Sequence, residues 1–180
     1  MSMKKLCDLF LIHRNLALFV AGISIASLCF AWTLQYGFNK LPCPLCYMQR
    51  YPYMANVFVG LLGAALAGKY PRATFLVLLA AGAVFSSGVA ISGFHVGVEQ
   101  GWWPGLSTCG VGGGPPPNAT MEELKKYFQD APIVDCRRAG WSFLGVSLTQ
   151  WNFLASIFYT GFTFFHAIKG FKNGKAAPKA

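Results

Sequence analysis

Ala73-Thr-Phe-Leu-Val-Leu-Leu-Ala-Ala-Gly-Ala-Val-Phe-Ser-Ser-Gly-Val-Ala-Ile-Ser-Gly-Phe94 runs for 22 residues without a charged side chain. As an α-helix it would span about 33 Å, enough to cross the ~30 Å hydrocarbon core of a bilayer. Three further apolar runs flank it, at about 16–36, 47–67 and 146–168, none with Asp, Lys or Glu in its middle. Inside a bilayer every backbone N–H and C=O must find its partner within the segment, which selects helices over open strands. The pattern predicts an all-α membrane protein: one domain over residues 1–180, a four-helix transmembrane bundle with two exoplasmic loops. The second of these, about 95–145, is long.

Composition agrees. Hydrophobic residues make up 54% and charged residues 12% of the 180, where a soluble domain carries about 25% charged. Mean hydropathy is +0.44. These figures argue against a soluble globular domain and rule out a disordered chain. The net charge of +9 would suit nucleic acid if it were clustered on one binding face. Instead it follows the topology. Nine basic residues (Lys4, Lys5, Arg14, Lys69, Arg72, Lys169, Lys172, Lys175 and Lys179) and one acid, Asp8, fall on the side of the termini. Six basic residues, among them Lys40 and Arg50, face five acids on the other side. The division is +8 against +1, and the positive-inside rule puts both termini in the cytoplasm. Nucleic acid is not an expected partner. The first run exceeds the ~7–15 residues of a signal-peptide core and lacks a small-x-small cleavage site, so a retained helix is expected.

Gly60, Ala64 and Gly68 on the second helix, and Gly82, Ser86 and Ala90 on the third, recur at the four-residue spacing that lets membrane helices approach closely. In the long loop, Thr120-Met-Glu-Glu123 fits a capping box. Met121, Leu124 and Phe128 share one face of the short amphipathic helix it would start, able to lie on the membrane surface. Gly112-Gly-Gly-Pro-Pro-Pro117 precedes it. A loop of this length is where function is expected.

Of six cysteines, Cys7 falls on the cytoplasmic side and Cys29 inside the first helix. Cys43, Cys46, Cys109 and Cys136 all fall in the exoplasmic loops, the oxidising compartment. Cys43-Pro-Leu-Cys46 is a C-x-x-C pair, a spacing that closes a reversible disulfide and lowers the thiol pKa of one member. A zinc site would want four well-placed ligands, and no second C-x-x-C exists, so no metal is expected. A c-type haem would need His where Tyr47 stands, and no thioredoxin-like βαβ context surrounds the pair. Two inert structural disulfides, in a non-enzymatic tetraspanning scaffold, are the competing reading. Cys109 and Cys136 would close a far longer loop than Cys43 and Cys46. Loop-closure entropy would make that bridge easier to open by about 1.7 kcal/mol. Arg50, at the outer mouth of the second helix, offers a guanidinium that can hydrogen-bond a quinone carbonyl and stabilise a thiolate; its other reading is a snorkelling anchor. His95, at the outer end of the third helix, can exchange a proton there. Glu99 follows one turn later.

Cys43-Pro-Leu-Cys46-Tyr-Met-Gln49-Arg50 resembles the C-x-x-C-x-x-x-R signature of the DsbB family of bacterial inner-membrane proteins. Phe94-His-Val-Gly-Val-Glu-Gln-Gly-Trp-Trp103, Cys136-Arg-Arg-Ala-Gly-Trp-Ser-Phe-Leu-Gly145 and Gln150-Trp151 extend the likeness over nearly the whole chain. The resemblance implies a multi-pass quinone-dependent oxidoreductase of the bacterial inner membrane. Such a protein reoxidises a DsbA-like periplasmic thioredoxin-fold protein and passes the electrons to ubiquinone or menaquinone. It further implies that Cys109 forms the mixed disulfide with that partner and that Cys136 is its mate, able to pair transiently with Cys43. Cys46 would face the quinone, with Arg50 and His95 as quinone-site residues. No metal is implied, and Cys7 and Cys29 match no required position. The Gly/Pro run departs from the family pattern, and Gly97-Val-Glu-Gln-Gly-Trp-Trp103 suggests a sub-branch with a dedicated partner.

Overall fold

The computed structural model describes residues 3–106, 109, 120–123, 125, 136–137 and 140–175, and side chains within these from residue 13 to residue 172. Four long helices dominate the described residues. Helix α1 (Met3–Trp32) passes into a π-helical turn, Thr33–Gly37. A short helix α2 (Pro44–Met48) leads through Gln49, itself in helical backbone conformation, into α3 (Arg50–Leu66). Helix α4 is Pro71–Glu99 and helix α5 is Leu148–Lys175. Prolines stand at the first position of α2 and α4, where a missing N–H costs nothing.

Two stretches, His13–Gly37 and Pro71–Glu99, are long and apolar enough to cross a membrane. Helix α3 alone has 17 residues, about 26 Å, and only with α2 in front of it approaches the span expected over 47–67. The other boundaries also move. The first helix starts well before residue 16. The third continues past Phe94, so His95 and Glu99 are helical residues rather than the start of the loop. The fourth starts at Leu148, not Val146, because Ser142–Phe143 and Val146–Ser147 pair as a small antiparallel hairpin, β1–β2. Its two turn residues, Leu144 and Gly145, both have positive φ, at 54° and 76°, the geometry that matches strand twist in a two-residue hairpin. The all-α expectation therefore needs this one amendment.

Helix α1 packs on α3, α3 on α4, and α4 on α5, with α5 returning to α1. Phe85 fills the middle of the bundle, its ring against those of Tyr53 and Tyr159. Of the small residues expected at helix contacts, Gly60 and Gly82 serve that purpose. A Cβ on Gly60 would stand 2.7 Å from the Ala21 backbone nitrogen and 2.8 Å from the Ala17 carbonyl oxygen. One on Gly82 would meet the Phe164 ring. Gly68 does not, because α3 has already ended and Gly68 turns the chain at φ 88°.

In the loop, the Thr120–Glu123 capping box forms. The Thr120 N–H donates to the Glu123 carboxylate at 2.9 Å, and the Glu123 N–H donates to Thr120 Oγ1 at 3.4 Å. The Cys7 side chain, the Gly112-to-Pro117 run, Arg138, and the Leu124 and Phe128 positions of the loop helix lie outside what the structure describes.

Gly60→Ala should destabilise the protein by about 1–3 kcal/mol, since backbone atoms cannot give way as a side-chain tip can. Gly22, with open space around its Cα, supplies the control. Thermal unfolding in detergent should show a drop for Gly60→Ala and none for Gly22→Ala; equal effects would remove Gly60 from the α1–α3 contact.

Candidate functional site

Cys43 is the N-cap of α2. Its sulfur accepts the backbone N–H of Cys46 at 3.2 Å, in the role a Ser or Asp side chain usually plays. This bond fixes Cys43 at the helix mouth and sets Cys46 in the first turn. The two sulfurs lie 2.7 Å apart, placed to open and close a disulfide with little movement. The hydrogen bond from the Cys43 thiol holds the Cys46 pKa down, and Arg50 adds to this against opposing contributions from burial and Glu99. The same bond, with burial, pushes the Cys43 thiol up. Of the two, Cys46 is thus the more acidic thiol.

Cys109 and Cys136 are joined in a disulfide, with Cα atoms 5.3 Å apart. Cys43, Leu45, Val98 and Cys136 form one buried cluster, with Cys46 and Cys109 packed against it. All four exoplasmic cysteines expected from the sequence therefore meet, although up to 93 residues separate them. Cys29 is exposed and stands apart from this group.

His95 is 2% exposed, not an interfacial side chain. Its Nε2 lies 3.6 Å from Cys43 Sγ, and its Nδ1 lies 2.7 Å from Gln49 Nε2. The Gln49 carbonyl accepts from Asn152 Nδ2 at 2.7 Å, and Asn152 Oδ1 accepts from the Tyr53 hydroxyl at 2.6 Å. In this orientation the chain favours one tautomer. With its oxygen already used by Asn152, Gln49 presents its N–H to His95, so Nδ1 accepts and Nε2 carries the proton toward Cys43. Thr149 Oγ1 lies 3.4 Å from the same Nδ1.

Arg50, one turn after Cys46, is 9% exposed. Its Nη1 donates to Gln35 Oε1 at 2.7 Å, and its guanidinium lies over the Tyr47 ring. The π-turn at the end of α1 carries Gln35 into this position. Glu99 accepts from Ser147 Oγ at 2.6 Å, which ties α4 to the hairpin. A cavity of about 320 Å³ joins these parts. Cys43, Cys46, Arg50, His95 and Glu99 stand on its wall, and Leu28, Ala31, Leu34 and Trp141 are among its apolar lining.

Gln35, Gln49, Thr149 and Asn152 were not among the site residues expected from the sequence. The one available signal was an amide or hydroxyl residue in an apolar helix, expensive there unless paired.

An apolar helical bundle with a close dithiol on a cavity wall and a disulfide packed behind it defines a membrane thiol–disulfide oxidoreductase. Residues 13–166 match the family described as disulfide bond formation protein DsbB. An uncharacterized protein of Rickettsia prowazekii is 28% identical over 145 residues, covering 81% of this chain and 82% of its own. Disulfide bond formation protein B of an Acidovorax species is 28% identical over 176 residues, covering 92% and 91%. The protein of that name from Albidiferax ferrireducens is 32% identical over 150 residues, covering 78% and 79%. The chain belongs to the DsbB family, and is accordingly a disulfide-forming oxidoreductase of the membrane.

Two measurements check the geometry. Alkylation of the reduced protein should modify Cys46 before Cys43 at neutral pH, and Cys43→Ala should shift the Cys46 profile to higher pH, because it removes the bond that lowers this thiol. Faster alkylation of Cys43 would contradict this order of acidity. Nitrogen NMR of His95 should find the proton on Nε2, and Gln49→Glu, which only accepts, should bring a proton to Nδ1. An Nδ1–H ring in the unsubstituted protein would break the inferred chain.

Proposed function

We propose that the chain spans a bacterial inner membrane four times with both termini cytoplasmic, reoxidises a DsbA-like periplasmic dithiol protein, and passes the electron pair to a membrane quinone. One observation carries this reading: the Cys43–Cys46 dithiol lies between a disulfide on one side and a cavity with apolar walls and a buried guanidinium on the other. An inert scaffold with two structural bridges has no use for such a relay.

The partner's thiolate attacks Cys109, forming a mixed disulfide and releasing Cys136 as the leaving thiolate. The partner's second thiol then resolves the mixed bond, so the partner leaves oxidised and Cys109 and Cys136 are left reduced. Cys136 is buried against Cys43, and its thiolate can attack Cys43 when Cys43 and Cys46 are bridged. A Cys136–Cys43 bond forms, the Cys43–Cys46 bond breaks, and the pair of electrons comes to rest on Cys46. Cys109 then displaces Cys43, restoring its bond to Cys136. This leaves a Cys43/Cys46 dithiol beside a closed Cys109–Cys136 bridge, ready to pass its electrons on.

The cavity suits a quinone head group. Its volume falls within the range of small-molecule sites, its walls are largely apolar, and Arg50 and the His95 Nε2–H supply donors for carbonyl oxygens. Ubiquinone or menaquinone, when bound, accepts two electrons and two protons. Cys46 holds its electrons at the cavity wall as a thiolate. Arg50 offsets negative charge there, kept in place by Gln35 and the Tyr47 ring. His95 holds a proton at Nε2, and the Gln49–Asn152 pair keeps the ring oriented.

Purified protein given a reduced DsbA-like protein and a soluble quinone should bleach the quinone absorbance. Cys46→Ser should abolish the reaction. Arg50→Met should raise the quinone KM about tenfold or more, the loss of one charge-assisted hydrogen bond of about 1.5–3 kcal/mol. Absence of quinone reduction, or full activity in Cys46→Ser, would overturn the reading; an unchanged KM in Arg50→Met would return Arg50 to an anchoring role.

A further inference from the structure

Cys43 Sγ, Cys46 Sγ and His95 Nε2 all lie within 4.8 Å of one another. Two thiols and an imidazole are the donor set that borderline-soft d10 cations prefer. We propose that the reduced dithiol and His95 form a reversible Zn²⁺ site, which closes the dithiol to oxidation while the metal is bound.

The three donors are gathered within 4.8 Å, and the Cys43–His95 pair is already at ligating distance. With Zn–S of about 2.3 Å and Zn–N of about 2.0 Å, a tetrahedral ion needs a sulfur–nitrogen separation of about 3.5 Å and a sulfur–sulfur separation of about 3.8 Å. Cys43 and His95 already stand 3.6 Å apart. The sulfurs, at 2.7 Å, must open by about 1 Å. Cys46 is free to make this move, because its side chain borders the cavity and is less buried than Cys43. The Cys46 backbone N–H already donates to Cys43 Sγ, and a sulfur has lone pairs enough to accept that bond and ligate a metal together. The fourth position opens into the cavity, where water fills it, as at zinc sites with three protein ligands.

The surroundings support the same arrangement. A ligating histidine donates its other ring N–H to a carbonyl or carboxylate. Here the amide chain reverses: Gln49 turns its oxygen to His95 Nδ1–H and its N–H to Asn152 Oδ1, and Asn152 turns its N–H to the Tyr53 hydroxyl. Tyr53 still has Ser156 Oγ at 3.3 Å, so its hydroxyl keeps a partner. Two thiolates cancel the charge of the ion, and the complex is neutral where a net charge would cost most. Arg50 and Glu99, both on the cavity wall, offset each other. Up to two protons leave the thiols on binding and no electrons move, so the metal requires the dithiol and cannot bind the disulfide. The absence of a second C-x-x-C counts against a four-cysteine structural site; it does not bear on this one, whose third ligand comes from α4.

The test uses the full-length protein in detergent, with Cys109→Ser and Cys136→Ser so that one exoplasmic pair remains, and Co²⁺ as a visible probe. Reduced protein should bind one Co²⁺ with the intense visible bands of a tetrahedral thiolate complex, and Zn²⁺ should bleach them. The same protein with Cys43 and Cys46 oxidised should show none. His95→Ala and His95→Gln, each checked for folding by circular dichroism, should bind about tenfold or more weakly. Zn²⁺ should raise the Tm of the reduced protein alone. No tetrahedral spectrum in folded reduced protein, or unchanged affinity in both His95 variants, would overturn the site. The measurement needs neither quinone nor protein partner, so its outcome is independent of the proposed function.

Discussion

The bond from the Cys46 N–H to the Cys43 sulfur is the constraint on which the rest of the site depends. It makes a cysteine the cap of a helix, and so fixes a reactive pair within the most rigid kind of local geometry the backbone offers. Because α2 runs through Gln49 into α3, the register set at Cys43 also governs the positions downstream. Cys46 falls three residues on, Gln49 six and Arg50 seven, so sulfur, amide and guanidinium are presented from one continuous stretch of helical backbone. The apolar bundle needs only to bring α4 and α5 against that stretch for His95 and Asn152 to meet it.

Polar groups survive in this setting because each is handed a partner. An unpaired amide or imidazole away from water costs several kcal/mol at the upper end, which explains why Gln35 is found on Arg50 and why Gln49 is shared between His95 and Asn152. The same pairing has a chemical effect. Its orientation is coupled to which ring nitrogen of His95 carries the proton, and so to whether Nε2 offers the sulfur a proton or a lone pair.

The apolar runs and the C-x-x-C-x-x-x-R stretch were legible because each is local. Hydrocarbon thickness sets the first, and helix spacing the second. The placing of four cysteines in loops rather than helices anticipated their meeting in one cluster. What the sequence concealed was long-range or conformational. His95 reads as a lone residue at a helix end until Gln49, 46 residues away, is seen beneath it. Asn152 gives no sign of its partner 103 residues earlier. Val146 reads as the first residue of a membrane run because it is apolar, yet Leu144 and Gly145 fold it back into a hairpin. Gly68 has the right spacing for a helix contact, and spacing cannot reveal that the helix has already stopped.

The π-turn at Thr33–Gly37 has a consequence for how such chains diverge. A turn of this kind holds one residue more than the α-helix around it. Here that surplus residue lies where Gln35 reaches Arg50. Losing a single residue from the turn would let it relax to ordinary helix with little disturbance to the membrane run before it, yet would rotate the glutamine off the arginine. Between relatives, a one-residue length difference inside this first helix would therefore be a difference in the site, although it would look like a slip within an apolar segment.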